Sequence, residues 1–131
     1  MVIKRFEDIK AWQTARDLAR EVYTVTRTGG FSHDYGLRDQ ITRAAGSIMH
    51  NIAEGFDAGS NPEFVRFLGY AKRSCTEVQS QLYVALDQDY LADDLFNRLY
   101  RKASEARAAT HGFIVYLHSH AKQRSSTNPE P

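Results

Sequence analysis

Cysteine is almost absent from this chain, proline and glycine are sparse, and no apolar run is long. The single cysteine, Cys75, excludes an intramolecular disulfide and any thiolate zinc cage. Three prolines and eight glycines in 131 residues leave long stretches free for regular structure. No apolar run approaches the roughly 20 residues that a membrane-spanning helix needs. Charge of one sign is lacking too: 17 basic residues stand against 16 acidic ones. Composition alone therefore does not announce a nucleic-acid binder. The opening Met1-Val2-Ile3-Lys4-Arg5-Phe6-Glu7-Asp8 puts acids where a signal peptide would continue its apolar core. A cytoplasmic protein of one domain and one core is the expectation.

The signatures of catalysis are missing as well. Four-helix bundles that hold two metals use Glu-x-x-His pairs, and this chain contains no Glu-x-x-His or Asp-x-x-His. It has no glycine-rich phosphate loop, no Gly-x-Ser-x-Gly and no Walker lysine. His50 and Glu54 stand at i and i+4, a usable helical spacing, but one such pair is more simply a surface ion pair than a site. His118 and His120 point to different sides of a helix. Cys75 falls on an apolar seam, where a thiol is a small, unreactive core residue. The sequence thus predicts no catalytic residue, no metal and no cofactor.

What is present is helical periodicity. Phe64, Leu68, Ala71, Cys75, Val78, Leu82 and Ala85 recur in steps of four and three, the pattern of helices packed at shallow angles. Asn61-Pro62-Glu63 reads as N-cap, first-turn proline and first-turn acid. The same rule runs through Phe96, Leu99, Ala103, Ala106, Thr110, Phe113 and Leu117. It also runs through Ala11, Ala15, Leu18, Val22 and Val25, with Ile9 and Trp12 flanking, and through Ile41, Ala45, Ile48, Ile52 and Phe56. These seams predict an all-α, antiparallel up-down-up-down four-helix bundle over residues 1–122. Its helices fall at about 7–27, 37–56, 62–88 and 92–121. Gly29-Gly30 and the residues to Tyr35-Gly36 read as a loop. Gly46, mid-helix, suggests a close helix crossing. Residues 123–131 read as a disordered tail.

Topology makes the charges informative. The end holding the first and third turns carries Asp34, Asp39, Asp87, Asp89, Asp93 and Asp94, opposed by Arg27, Arg38 and Arg98. The middle carries eight basic residues against four acids. Arg16, Arg20, Lys72, Arg73, Arg101 and Lys102 of this basic waist are the candidate nucleic-acid-binding residues; the alternative is that these charges are simply solvated or paired within helices. Of the 17 basic residues 12 are arginine, the side chain suited to bidentate contacts with phosphate. No aromatic stacking platform is evident in the sequence, which predicts sequence-indifferent binding. Seven tyrosines lie mostly outside the seams. They either border the core or form an oligomer interface, and self-association is the favoured reading.

The segment Ala45-Gly46-Ser47-Ile48-Met49-His50-Asn51-Ile52-Ala53-Glu54-Gly55-Phe56 carries a resemblance. With Phe6-Glu7-Asp8-Ile9-Lys10-Ala11-Trp12, Glu63-Phe64 to Leu68, and Ala71-Lys72-Arg73-Ser74-Cys75-Thr76-Glu77, it resembles the "four helix bundle protein" family. That family is also called the 23S rRNA intervening-sequence protein family and is related to retroelement accessory variability proteins. The similarity spans residues 6 to 117. It implies a bacterial, cytosolic homopentamer around a central channel, with no catalytic residues to transfer. It also implies partners such as RNA or DNA and a nucleic-acid-processing protein, a reverse transcriptase in some relatives. Within the signature, Ser47, Asn51 and Glu54 share one helix face, and Ser74 and Glu77 occupy the matching flank of the third helix. A buried polar network fixing helix register is the expected role of Asn51, Glu54, Ser74 and Glu77, with Gly55 letting the chain leave the helix. Three functions remain open from sequence: a non-catalytic oligomer that binds nucleic acid or a protein bound to it, an oligomer with a protein partner only, and a metal- or small-molecule-dependent bundle using His50 and Glu54.

Overall fold

The computed structural model describes residues 2–120; the expected tail at 123–131 lies outside them, as do the expected ends of the fourth helix at 121 and of the bundle at 122. Four helices account for most of the described chain: α1 (Lys10–Val25), α2 (Tyr35–Phe56), α3 (Asn61–Asp87) and α4 (Asp93–Ser119). Packing joins α1 to α2, α2 to α3, α3 to α4 and α4 back to α1, which closes a square and leaves α1 and α3 on its diagonal. The connections are short, so neighbours run antiparallel. This is the all-α four-helix bundle predicted by the seams.

The seams form the core. All seven apolar positions read from α3 are buried, as are Ala11, Ala15, Leu18 and Val22 of α1 and Ile41, Ala45, Ile48 and Ile52 of α2. Val25, Phe56 and Phe113 pack against the core while partly exposed. The helix ends depart from expectation in ways the local chemistry explains. Phe6–Asp8 forms a separate 3-10 turn, because Asp8 Oδ2 accepts from the backbone N–H groups of Lys4 at 3.1 Å and Arg5 at 3.3 Å. Ile9 is extended there and fully buried. At the start of α3 the cap is Ser60, not Asn61: the Ser60 hydroxyl accepts from the Glu63 N–H at 3.3 Å. Asn61 is already helical, and its buried amide atoms lack a hydrogen-bond partner.

Tyr35 and Gly36, read as loop, are the first turn of α2. The cap Asp34 accepts from the Leu37 N–H at 3.1 Å with one carboxylate oxygen. Its other oxygen accepts from the Tyr90 hydroxyl at 3.0 Å, which raises the Tyr90 phenol above its ordinary pKa. Tyr90 stacks on the buried Phe31 with centroids 5.3 Å apart. One aspartate therefore ties the α1–α2 turn to the α3–α4 turn at the acidic end.

The close crossing is at Gly55 rather than Gly46. A Cβ on Gly55 would lie 2.8 Å from Phe64 Cδ1 and 2.9 Å from Phe67 Cβ, whereas one on Gly46 would meet only the His50 ring of its own helix, at 3.5 Å. Gly55 is helical, so it is small because α3 passes against it and not because the chain turns there.

Candidate nucleic-acid interface

The polar signature between α2 and α3 is smaller than its residue pattern suggests. Asn51 Nδ2 donates to the Ser47 carbonyl at 2.8 Å and to Ser47 Oγ at 2.9 Å, and Ser74 Oγ donates to Ser47 Oγ at 3.1 Å. The first two bonds lie within α2; the Ser74–Ser47 bond is the one of the three that ties α2 to α3. Glu54 is not part of this network; it is exposed. Successive helical residues are 100° apart, so turning Gly55 onto α3 swings Glu54 away from it. Glu77 is exposed and accepts from Gln81 Nε2 at 3.3 Å. His50 is exposed too, and no ion pair joins it to Glu54 among the described residues. Cys75 is buried and free; burial pushes its thiol up to about 12, against the weaker opposing pull of the Arg107 charge. Among the described residues no group of three or more His, Cys, Asp or Glu is placed to hold a metal ion.

The six basic candidates are not brought to one place. Arg16 and Arg20 are exposed on α1, where Arg16 lies over Trp12 at 5.7 Å and Arg20 pairs with Asp17 at 3.4 Å. Lys102 is drawn to the α1–α4 seam by Glu21 at 3.0 Å, a carboxylate it shares with Arg98 at 2.9 Å. Arg101 is exposed on α4. Lys72 and Arg73 sit on α3, diagonally across from α1. Together with Arg107 they rim a groove between α3 and α4 of about 460 Å³, lined otherwise by Val65, Gly69, Thr76 and Ile114. Lys72 Nζ lies 3.1 Å from His111 Nδ1 and donates to it when that nitrogen carries no proton.

This groove has no acid among its lining residues. The α2–α3 groove is lined by Asp39 and Glu77, with Arg43 already held by Asp39 at 2.9 Å. The groove near the α1–α2 turn mixes Arg27 and Arg38 with Asp39 and two exposed tyrosines, Tyr23 and Tyr35. Lys72, Arg73 and Arg107 form no ion pair among the described residues. Three cations around one acid-free groove give a local positive potential that the near-neutral whole chain conceals. Sequence order did not single out Arg107, because it joins Lys72 and Arg73 only across the helix pair.

No helix among the described residues is long and apolar enough to cross a membrane. The family model for the 23S rRNA-intervening sequence protein matches residues 7–112. No curated protein matches the chain. Among solved structures the chain is similar to a protein with unknown function from the S23 ribosomal protein family of Bacteroides thetaiotaomicron. The TM-score is 0.73 at 19% identity, covering 79% of this chain and 97% of that one. At that identity the likeness is one of fold.

Proposed function

Because this chain belongs to the family of 23S rRNA-intervening sequence proteins, we propose that it is a non-catalytic, homo-oligomeric binding protein whose α3–α4 face takes the phosphate backbone of nucleic acid. The observation that carries the reading is the acid-free groove rimmed by Lys72, Arg73 and Arg107. Each cation is one that phosphate can engage without first displacing a carboxylate. Arg101 and Arg16 extend the positive field around the bundle, while Arg20 is paired with Asp17 and Lys102 with Glu21.

Self-association is supported by the apolar surface that one bundle leaves uncovered: Tyr23, Tyr35, Tyr83, Val84 and Val115 are exposed. Light scattering coupled to size exclusion should give about five times 14.9 kDa, and a monomer at micromolar concentration refutes the oligomer.

Binding of a generic structured RNA, titrated at several salt concentrations, tests the groove. Arg73→Glu/Arg107→Glu should weaken binding steeply and flatten the salt dependence by about 0.7–0.9 log units per lost phosphate contact. Arg16→Glu/Arg20→Glu, on the opposite helix, should have the smaller effect. Unchanged affinity and slope in the groove variant, at native oligomeric size, refutes the assignment.

A further inference from the structure

Beside the groove, the outer face of α3 carries a feature that phosphate binding alone does not use. Tyr70 lies one turn after Arg66 and one turn before Arg73, and the two guanidinium carbons approach its ring to 5.6 and 5.9 Å from the centroid. Arg66 Nη1 donates to the Tyr70 hydroxyl at 2.9 Å. Arg66 is in turn held by Glu63 through contacts of 3.1 and 2.7 Å, and that bond keeps the Glu63 carboxyl below its ordinary pKa. Phe67 meets the Tyr70 ring edge-on, with centroids 5.9 Å apart. A partly exposed ring is therefore fixed at its tip and at its edge. Because Glu63 neutralises it, Arg66 contributes orientation more than charge. Arg73 keeps its charge and belongs to both features, its guanidinium lying over the Tyr70 ring 5.9 Å from the centroid while it rims the groove.

An aromatic ring beside a cationic groove is the combination that holds unpaired bases, since stacking takes the face of a base and the cations take its phosphates. In a duplex those faces are covered by neighbouring base pairs, and the ring has nothing to stack on. Resting on the groove reading above, we propose that this face takes single-stranded nucleic acid, with a base stacked on Tyr70 and the flanking phosphates on Arg73, Lys72 and Arg107. Preference for single strands over duplex then comes from the ring, while salt-dependent affinity for either comes from the groove.

The test uses the full chain with a fluorescent oligonucleotide of about 12 nucleotides, within the site sizes such grooves occupy, beside a duplex of the same length. Wild type should prefer the single strand, and Tyr70→Ala should weaken single-strand binding by about 5- to 150-fold, the loss of one stacked base. Duplex binding should stay within about twofold, because the groove is intact. Tyr70→Phe, which keeps the ring and loses only the hydroxyl bond, should retain the single-strand preference. As a reading independent of any variant, a 2-aminopurine base in the oligonucleotide should be quenched when wild type binds. Absence of quenching, or equal binding of both nucleic acids unaffected by Tyr70→Ala, overturns the single-strand assignment and leaves the groove reading standing. Failure of both to bind at low salt overturns the groove reading itself. A Tyr70→Ala protein of altered oligomeric size places the ring in a subunit contact and also overturns the assignment.

Discussion

Alanine at Gly46 and alanine at Gly55 should shift stability in opposite directions, although both glycines lie in α2. In a helix interior, alanine is favoured over glycine by about 1 kcal/mol. At Gly46 nothing offsets that gain, because the added Cβ meets only the far end of the His50 side chain at 3.5 Å. At Gly55 the added Cβ lies 2.8 Å from Phe64 Cδ1 and 2.9 Å from Phe67 Cβ. Ordinary carbon contacts sit at roughly 3.5–4.0 Å, so the overlap approaches an ångström. The Phe64 ring is wedged between Phe56 and Phe113, with centroids 6.2 and 5.3 Å away, and the Phe67 Cβ is fixed to the α3 backbone. Neither can yield by changing rotamer alone. The helices must part, at the 1–3 kcal/mol or so typical of overpacking, and the helical gain near the end of α2 recovers only some of it.

Gly46→Ala should therefore stabilise by up to about 1 kcal/mol and Gly55→Ala should destabilise by about 1–2 kcal/mol. That separates their thermal midpoints by roughly 10 °C. Urea unfolding at matched protein concentration is the assay, with an unchanged m-value required so that a midpoint shift is a stability shift. A Gly55→Ala midpoint at or above that of wild type refutes the close-crossing argument.

Asn51→Ala should cost about 1 kcal/mol by removing both bonds to Ser47, whereas Glu54→Ala, exposed and outside the network, should stay within about 0.5 kcal/mol; denaturant midpoints decide, and a larger loss at Glu54 would restore it to the structural network. Cys75, its thiol raised by burial to about 12, stays protonated at pH 8, so a thiol-specific disulfide reagent should label native protein about a thousandfold more slowly than protein in denaturant. Since the folded value is the higher one, this thiol's contribution to stability is full below the unfolded thiol's range and falls as pH climbs toward about 12; rapid labelling of folded protein would show that the seam opens.

The sequence by itself determined the four helices, their antiparallel order and nearly all of the core. A 3.5-residue apolar period admits one buried stripe per helix, and short turns admit one way of bringing the stripes together. It also carried the family, through the Asn51-to-Phe56 signature and its partners on α3. Only the tertiary structure decided which charges share a surface. The sequence groups Arg16 and Arg20 with Lys72 and Arg73 in one waist, yet α1 and α3 are diagonal, so membership of one waist is not proximity around the bundle. Lys102 counts as basic in the sequence but is claimed by Glu21 on another helix, and Arg107 reaches the groove only because α4 packs beside α3. Glu54 shares a face with Asn51 by spacing alone. Once Gly55 admits Phe64 and Phe67, the 100° between adjacent residues turns Glu54 to solvent. The Tyr70 platform follows the same logic: Arg66, Tyr70 and Arg73 are spaced four and three apart in the sequence, but it is the Glu63 contact and the edge of Phe67 that hold the ring in place. Periodicity fixes what is buried; the direction each surface side chain takes depends on neighbours that only the folded chain supplies.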